Sequence, residues 1–231
     1  MSIQTVIGRI ATGAIAATLL AAASAPASAV QAFSADYEAN AMGMQGNGHM
    51  SITAQGNDRW QYTLTIRNSL VDLSQSTVFD EQDGWLRPLS SSDLSRLLVK
   101  KKAVKTNFDW SANEATWSGD VKPGRAGPVA LKTGDMDALL VNLALVRDVA
   151  AGKPLNYRMV ENGNARPMNY RVVGKEKISV GGKSREATKV SRTSGDKEIV
   201  VWVVPGMPVP ARILQREDGQ DSIDLQVKSW H

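Results

Sequence analysis

Two histidines, His49 and His231, and no cysteine set the limits of what this chain can do chemically. Zinc sites, Ser-His-Asp triads and cysteine nucleophiles all need groups that are scarce or missing here. Three short motifs imitate a serine hydrolase. Ser194-Gly195-Asp196-Lys197 matches S-x-x-K, Ser111-Ala112-Asn113 matches S-x-N, and Lys132-Thr133-Gly134 matches K-T-G. In β-lactamases and penicillin-binding proteins the S-x-x-K serine opens a helix, so that lysine meets its hydroxyl one turn on. Here the pair sits in an expected hairpin turn, and the order of the motifs along the chain is wrong. A second constellation is Met42, Met44 and His49. If the strand beginning at Phe33 points its odd positions inward, Met42 and Met44 point outward. His49 does so too if Met50 is inward, and two thioethers with an imidazole make a Cu(I) ligand set. The competing reading is a pair of exposed methionines flanking a loose hairpin. Asp109 and Glu176 are the carboxylates that an enzyme acting on glycans would use, chosen on position alone. We expect no catalytic residue, no metal site, no cofactor and no enzymatic activity.

The elements that would hold a site are mostly strands. Phe33, Ala35, Tyr37, Ala39 and Ala41 alternate with polar residues, as do Trp60, Tyr62, Leu64 and Ile66, which is the period of a half-buried strand. Gly46-Asn47-Gly48 and Asp83-Gly84 read as turns. Further strands are expected around residues 70–79, 85–89, 94–101, 104–110 and 114–117, then a Pro/Gly-rich loop over 121–128. Strands resume from 155, with turns at Asn162-Gly163-Asn164, Gly181-Gly182 and Ser194-Gly195-Asp196. The run Ile199-Val200-Val201-Trp202-Val203-Val204 is apolar on both faces, the pattern of a strand covered on both sides.

One helix interrupts this pattern. Residues 135–151 carry Met136, Leu139, Leu140, Leu143 and Val146 on one side and Val141, Leu145 and Val149 on the other. A helix apolar on two sides is normally buried on two sides. Asp135 reads as its N-cap, and Gly152 and Pro154 end it. The fold class is therefore mainly β: a long curled antiparallel sheet or partly closed barrel with one central buried helix over about 135–151. The six tryptophans, Trp60, Trp85, Trp110, Trp117, Trp202 and Trp230, serve either as core filler or as a lining for an acyl chain or sugar.

The address is at the N-terminus. Residues 10–23 form an apolar run after Arg9, and Ala27-Ser28-Ala29 has the small-x-small form of a cleavage site. We expect a signal peptide over 1–29, cut after Ala29, and a single β-rich domain over 30–231; an uncleaved anchor is the alternative. The apolar run is short for a membrane span, and no second one follows. A cysteine-free exported chain must rely on its core for stability. Periplasm is the expected location, with outright secretion as the alternative. The formal net charge is +4. From Arg166 to Arg192 there are eight basic residues against Glu176 and Glu186. In an exported protein such a segment meets anionic lipid headgroups or acidic glycans rather than nucleic acid, or is simply a solvated, lysine-rich strand face that discourages edge pairing.

Several short pieces together resemble a known family. They are Phe33-x-Ala35-x-Tyr37, Phe108-Asp109-Trp110, Gly134-Asp135, Tyr170-x-Val172-x-Gly174-x-Glu176, Ala187-x-Lys189-Val190, Trp202-x-x-Pro205 and Pro210-x-Arg212-Ile213. Over most of the mature chain they resemble the exported bacterial proteins grouped as domain of unknown function 3108. The resemblance implies a periplasmic, mainly antiparallel β protein of a Gram-negative envelope, and brings no activity or site residues. A looser architectural analogy is to lipoprotein-carrier folds, in which a helix closes a curled sheet. Two readings of function follow. One is a non-enzymatic binding or envelope-maintenance protein for an apolar or amphiphilic, lipid-like ligand. The other is a structural or scaffolding protein acting through an envelope protein partner.

Overall fold

The computed structural model describes residues 30–231, so the expected signal peptide lies outside the described residues. Thirteen strands make one sheet. Strands β1 (Phe33–Ala41), β2 (Met44–Gly56), β3 (Arg59–Arg67), β4 (Val71–Gln82), β5 (Trp85–Leu97), β6 (Lys100–Asp109), β7 (Glu114–Gly119) and β8 (Val129–Ala130) follow one another as an antiparallel meander. The chain then leaves the sheet through β9 (Asp135–Met136), α1 (Ala138–Ala150), β10 (Asn156–Glu161) and β11 (Asn164–Asn169). It returns as β12 (Arg171–Val180), β13 (Lys183–Ser194), β14 (Lys197–Val203), β15 (Arg212–Glu217) and β16 (Gln220–Trp230). β16 pairs with β1, so the two halves join through these two strands and the sheet edges are β8 and β12. The sheet is not closed into a barrel. It does curl far enough for Gln226 Nε2 to donate to Ser179 O at 3.2 Å, between β16 and β12. β9, β10 and β11 form a separate three-stranded sheet, with β9 parallel to β10; sequence patterning gave no sign of it.

The helix lies between the two sheets, buried on both sides as its apolar ring requires. Leu139, Leu140, Val141, Leu143, Ala144, Leu145 and Val146 are all buried. Its start differs from expectation. Asp135 lies in β9, where its carboxylate accepts from Lys132 N at 2.8 Å and from Arg158. The N-cap is Asp137, extended at φ −85° and ψ −178°, accepting from Leu140 N at 3.0 Å. Both aspartates can cap, and the strand pairing Arg158↔Asp135 decides between them. At the other end Gly152 takes φ +64°, Gly152 N donates to Val149 O and Lys153 N to Asp148 O. This is a Schellman stop.

Two strand expectations also need correction. Residues 94–101 are not one strand: β5 ends at Leu97, and the chain turns at Leu98-Val99 into β6. Residues 85–89 belong to that same β5. The turn was invisible because neither of its residues is a usual turn former. For the expected central strand the pattern holds: Val200, Val201, Trp202 and Val203 are all buried.

Candidate functional site

The sheet's concave face can be followed row by row across paired strands. One row runs Phe33, Ile52, Tyr62, Thr77, Ser91, Thr106 and Trp117. The Thr77 hydroxyl donates to the Asp137 carboxylate, which fixes the helix N-cap over this row. From there the helix runs towards the β4–β5 turn, where Arg147 donates to Gly84 O at 2.9 Å. A helix of 13 residues is ~20 Å long at 1.5 Å per residue. β2 and β5, also of 13 residues, extend to ~44 Å at ~3.4 Å per residue. The helix therefore fills about half the length of the concavity and leaves the rest unfilled.

The unfilled half is a cavity of about 490 Å³. Its wall continues the rows beyond Asp137: Leu64, Gln75 and Asp93, then Ile66, Leu73, Ser95 and Lys102. The other half of the sheet contributes Ile199, Ile213, Ile223 and Leu225, the helix Leu139 and Val141, and the small sheet Met159 and Met168. Leu64, Leu73, Ile199 and Ile223 point inward from the sheet and pack against the edge of the core, yet remain half-buried where they line the cavity. No tryptophan lines the cavity. Trp85 and Trp110 instead stack edge-to-face at 4.7 Å near the helix C-terminus, and Trp117 fills a second core cluster with Phe108 and Val160.

Charge collects at the rim. Lys102, Arg166, Arg192, Lys197 and Arg216 border the cavity together with Asp93, Glu161, Glu198 and Glu217. Arg166 pairs with Glu161 at 3.0 Å, Lys197 with Glu217 at 3.0 Å and Arg216 with Glu198 at 3.1 Å. Lys102 and Arg192 make no ion pair among the described residues; Arg192 donates only to Pro167 O at 3.4 Å. The expected basic segment thus contributes Arg166 and Arg192 to the mouth. Its Lys175 and Lys189 pair with Glu186 and Glu176 on exposed strands.

Three carboxyls beside the helix N-terminus are pushed up in pKa, all chiefly by burial. Asp137 rises to about 6, against its bonds from Thr77 and Leu140 N, which favour the ionised form. Asp93 and Glu161 rise as well, offset in Asp93 by Gln75 and in Glu161 by Arg166. Among the described residues no cluster of three His, Asp or Glu side chains could hold a metal ion.

The copper constellation does not assemble. Ala41 pairs with Met44 across the β1–β2 hairpin, so Met44 shares the concave side with buried Ala41, whereas His49 alternates with buried Gly48 and Met50 and points outward. The expected turn at Gly46-Asn47-Gly48 lies inside β2; the hairpin turns at Met42-Gly43 instead, which reverses the inside-outside alternation for Met44. Five residues along β2 also separate Met44 from His49 by ~17 Å, and His49 Nδ1 lies 2.8 Å from Asp36 Oδ1.

The hydrolase motifs are scattered too. Ser194 and Lys197 pair across the β13–β14 hairpin at one end of the sheet, and Ser111 lies in the β6–β7 turn at the other. Asp109 shapes that turn, accepting from Ser111 N at 2.9 Å, Ala112 N at 3.0 Å and Ser111 Oγ at 2.6 Å. Glu176 accepts from the Trp202 indole N–H on a face where Lys189 and Arg212 lie over that ring at 5.1 and 4.7 Å. Neither carboxylate lines the cavity.

An open, barrel-like antiparallel sheet wrapped on one buried helix, with a ligand-sized cavity beside that helix, defines the class. The chain belongs to the family described as "Protein of unknown function (DUF3108)", whose model matches residues 33–226. A comparison with curated proteins finds no match. Among solved structures, a β-barrel-like protein of domain of unknown function DUF1849 from Brucella abortus is 10% identical. It superposes with a TM-score of 0.54 over 87% of this chain and 97% of that one. MucB is 10% identical with a TM-score of 0.36, over 89% of this chain and 54% of that chain. The MucA/MucB complex of Pseudomonas aeruginosa gives 12% and 0.37 over 87% of this chain and 51% of that one. The chain thus spans about half the length of the MucB chains.

Proposed function

We propose that the protein is an exported, non-enzymatic binding protein whose cavity takes a single-chain anionic amphiphile. In this reading the tail lies along the concave face up to the helix N-terminus, and the headgroup meets Lys102 and Arg192 at the mouth. The observation that carries it is the set of half-buried aliphatic side chains, Leu64, Leu73, Ile199 and Ile223, around about 490 Å³ of space. Sites for small molecules usually measure ~300–1,000 Å³ and combine apolar walls with a few polar groups. The periplasm is the compartment that fits a chain with the signal-like residues 1–29. An envelope protein partner in place of the ligand is the competing reading, and it leaves the cavity without a role.

Native mass spectrometry after incubation with laurate or lysophosphatidylglycerol, below their micellar concentrations, tests the proposal. We expect a one-to-one adduct that Ile223→Trp weakens by narrowing the cavity, with the fold monitored by circular dichroism. A wild-type protein that gains no mass, or an Ile223→Trp variant that binds equally well, overturns it.

A further inference from the structure

Two hairpin tips of the sheet use different chemistry from the others. Eight described non-glycine residues have positive φ. Six of them are Asn57, Asp58, Asp83, Asn113, Asn162 and Asp218, the residue types that tolerate this conformation best. The other two are Met42 at φ 56° and Leu98 at φ 55°. A leucine in the left-handed region is disfavoured by its own Cβ. Nor is it repaid by packing, since Leu98 is 63% exposed and its turn partner Val99 is 92% exposed. Met42 is 58% exposed.

Both apolar tips lie at the same end of the sheet, the end where the cavity opens. The pairings Ala41↔Met44, Arg67↔Asp72 and Leu97↔Lys100 place the β1–β2, β3–β4 and β5–β6 turns side by side. Leu98 N donates to Leu70 O of the middle turn at 2.9 Å. The outer two tips stand about four strand spacings, ~19 Å, apart. Of the eight large hydrophobic side chains exposed among the described residues, six belong to these two outer hairpins. Leu94 and Lys102, one on each strand of the β5–β6 hairpin, also line the cavity.

The charge around the β5–β6 tip is mostly basic. Between Leu94 and Lys105 there are five basic residues and no acidic one. Asp72, the acid beside them, is engaged by Arg67 at 3.2 Å and Arg96 at 3.4 Å. An exposed aliphatic tip inside a basic collar fits a surface that is anionic outside and apolar beneath. The tips of the β13–β14 and β15–β16 hairpins at the same end are polar and carry Asp196 and Asp218, so the exposed apolar tips are confined to the β1–β6 side.

We propose that the Met42 and Leu98-Val99 tips dock the protein onto an anionic lipid bilayer and hold the cavity mouth against it. The proposal stands on the tips and their charge and does not depend on what the cavity holds.

The chain has no cysteine, which gives a clean probe. Val99→Cys and, at the far end, Asp58→Cys are each labelled with an environment-sensitive fluorophore. They are then titrated with vesicles of phosphatidylcholine alone and of phosphatidylcholine with phosphatidylglycerol. We expect a blue shift at position 99, none at 58, and only with the anionic vesicles. In flotation with unlabelled protein, Leu98→Asn with Val99→Asp weakens binding to anionic vesicles at least tenfold and keeps the fold, because both side chains are exposed. Ile223→Trp floats like wild type, so failure of the cavity reading leaves this one standing. Wild-type protein that ignores anionic vesicles, as it would if the tips served a protein partner, overturns the proposal. So does equal flotation of the double variant.

Discussion

The two ends of the concavity are made from the same strands and differ in what fills them. At the closed end Phe79 is fully buried, Trp85 and Trp110 stack, and Trp110 Nε1 donates to Pro88 O at 2.6 Å. Arg147 ties the last helical turn to Gly84 O and to buried Asp148, which also accepts from Tyr157 Oη at 3.2 Å. At the open end Leu64, Leu73 and Ile223 line the cavity, and the β1–β2 and β5–β6 turns carry aliphatic side chains in solvent. The helix reaches one end and not the other. A buried helix in a curled sheet is therefore both plug and floor, and its length relative to the strands decides how much room remains.

Truncation should expose this difference most strongly. Leu140→Ala, at a fully buried helical position, is expected to destabilise by about 2–5 kcal/mol. Ile223→Ala, beside the cavity, should lose about 1 kcal/mol or less, because little packing is there to lose. Equal losses in urea denaturation would break the distinction between the ends.

The boundary between plug and cavity is titratable. Burial raises Asp137 from 3.8 to about 6 in the folded protein. Below pH 3.8 both folded and unfolded states hold the proton, and the group has no effect on stability. Between 3.8 and about 6 the unfolded chain ionises first, so stability falls as pH rises, and above about 6 the full penalty applies. Asp137→Asn keeps a capping oxygen and removes the charge. We expect it to stabilise the fold by up to about 3 kcal/mol at pH 8, with the gain shrinking to nothing near pH 4. A gain that does not change with pH would point away from the carboxyl.

The smallest expected effect is at the tip. Leu98→Asn places a residue suited to positive φ and should raise stability by about 1 kcal/mol, read as a higher Tm. The corresponding change at the far end, Asn57→Leu, should lower it by a similar amount. Matching signs for the two substitutions would contradict the contrast between ends.

Much of the fold was legible in the sequence. Alternation gave β1 and β3, and the two-sided helix and the doubly apolar β14 implied a sheet curled around a plug. The helix start was missed by two residues because Asp135 and Asp137 cap equally well in isolation, and only pairing with β10 excludes the first. The β9–β11 sheet was missed because its strands are short and β9 has two residues. The site was mostly illegible. Leu64, Leu73, Ile199 and Ile223 read as core positions, and only the helix length against the strand length shows that they border a cavity. The stretch Arg96-Leu97-Leu98-Val99-Lys100-Lys101-Lys102 did carry a signal, apolar residues set among basic ones. No Gly, Asn or Asp marks the turn there, so its pattern is that of a strand.

The pairing of β1 with β16 bears on how the chain reaches this state. Asp36 and Ser229, 193 positions apart, meet across it at 3.3 Å, and Ser34 and His231 exchange two backbone bonds beside them. Every other neighbour in the large sheet, apart from short β8, follows its partner directly in the sequence through a turn or a short loop, so two half-sheets can form locally while their union awaits the most distant contact in the sequence. Contacts of such separation form late and slow a β-rich fold. Until then β1 and β16 are bare edges with alternating apolar faces, whereas the final edges are two-residue β8 and the cation-rich β12, which resist intermolecular pairing. The state most exposed to aggregation is thus the nearly complete one, with both half-sheets made and the seam between them still open.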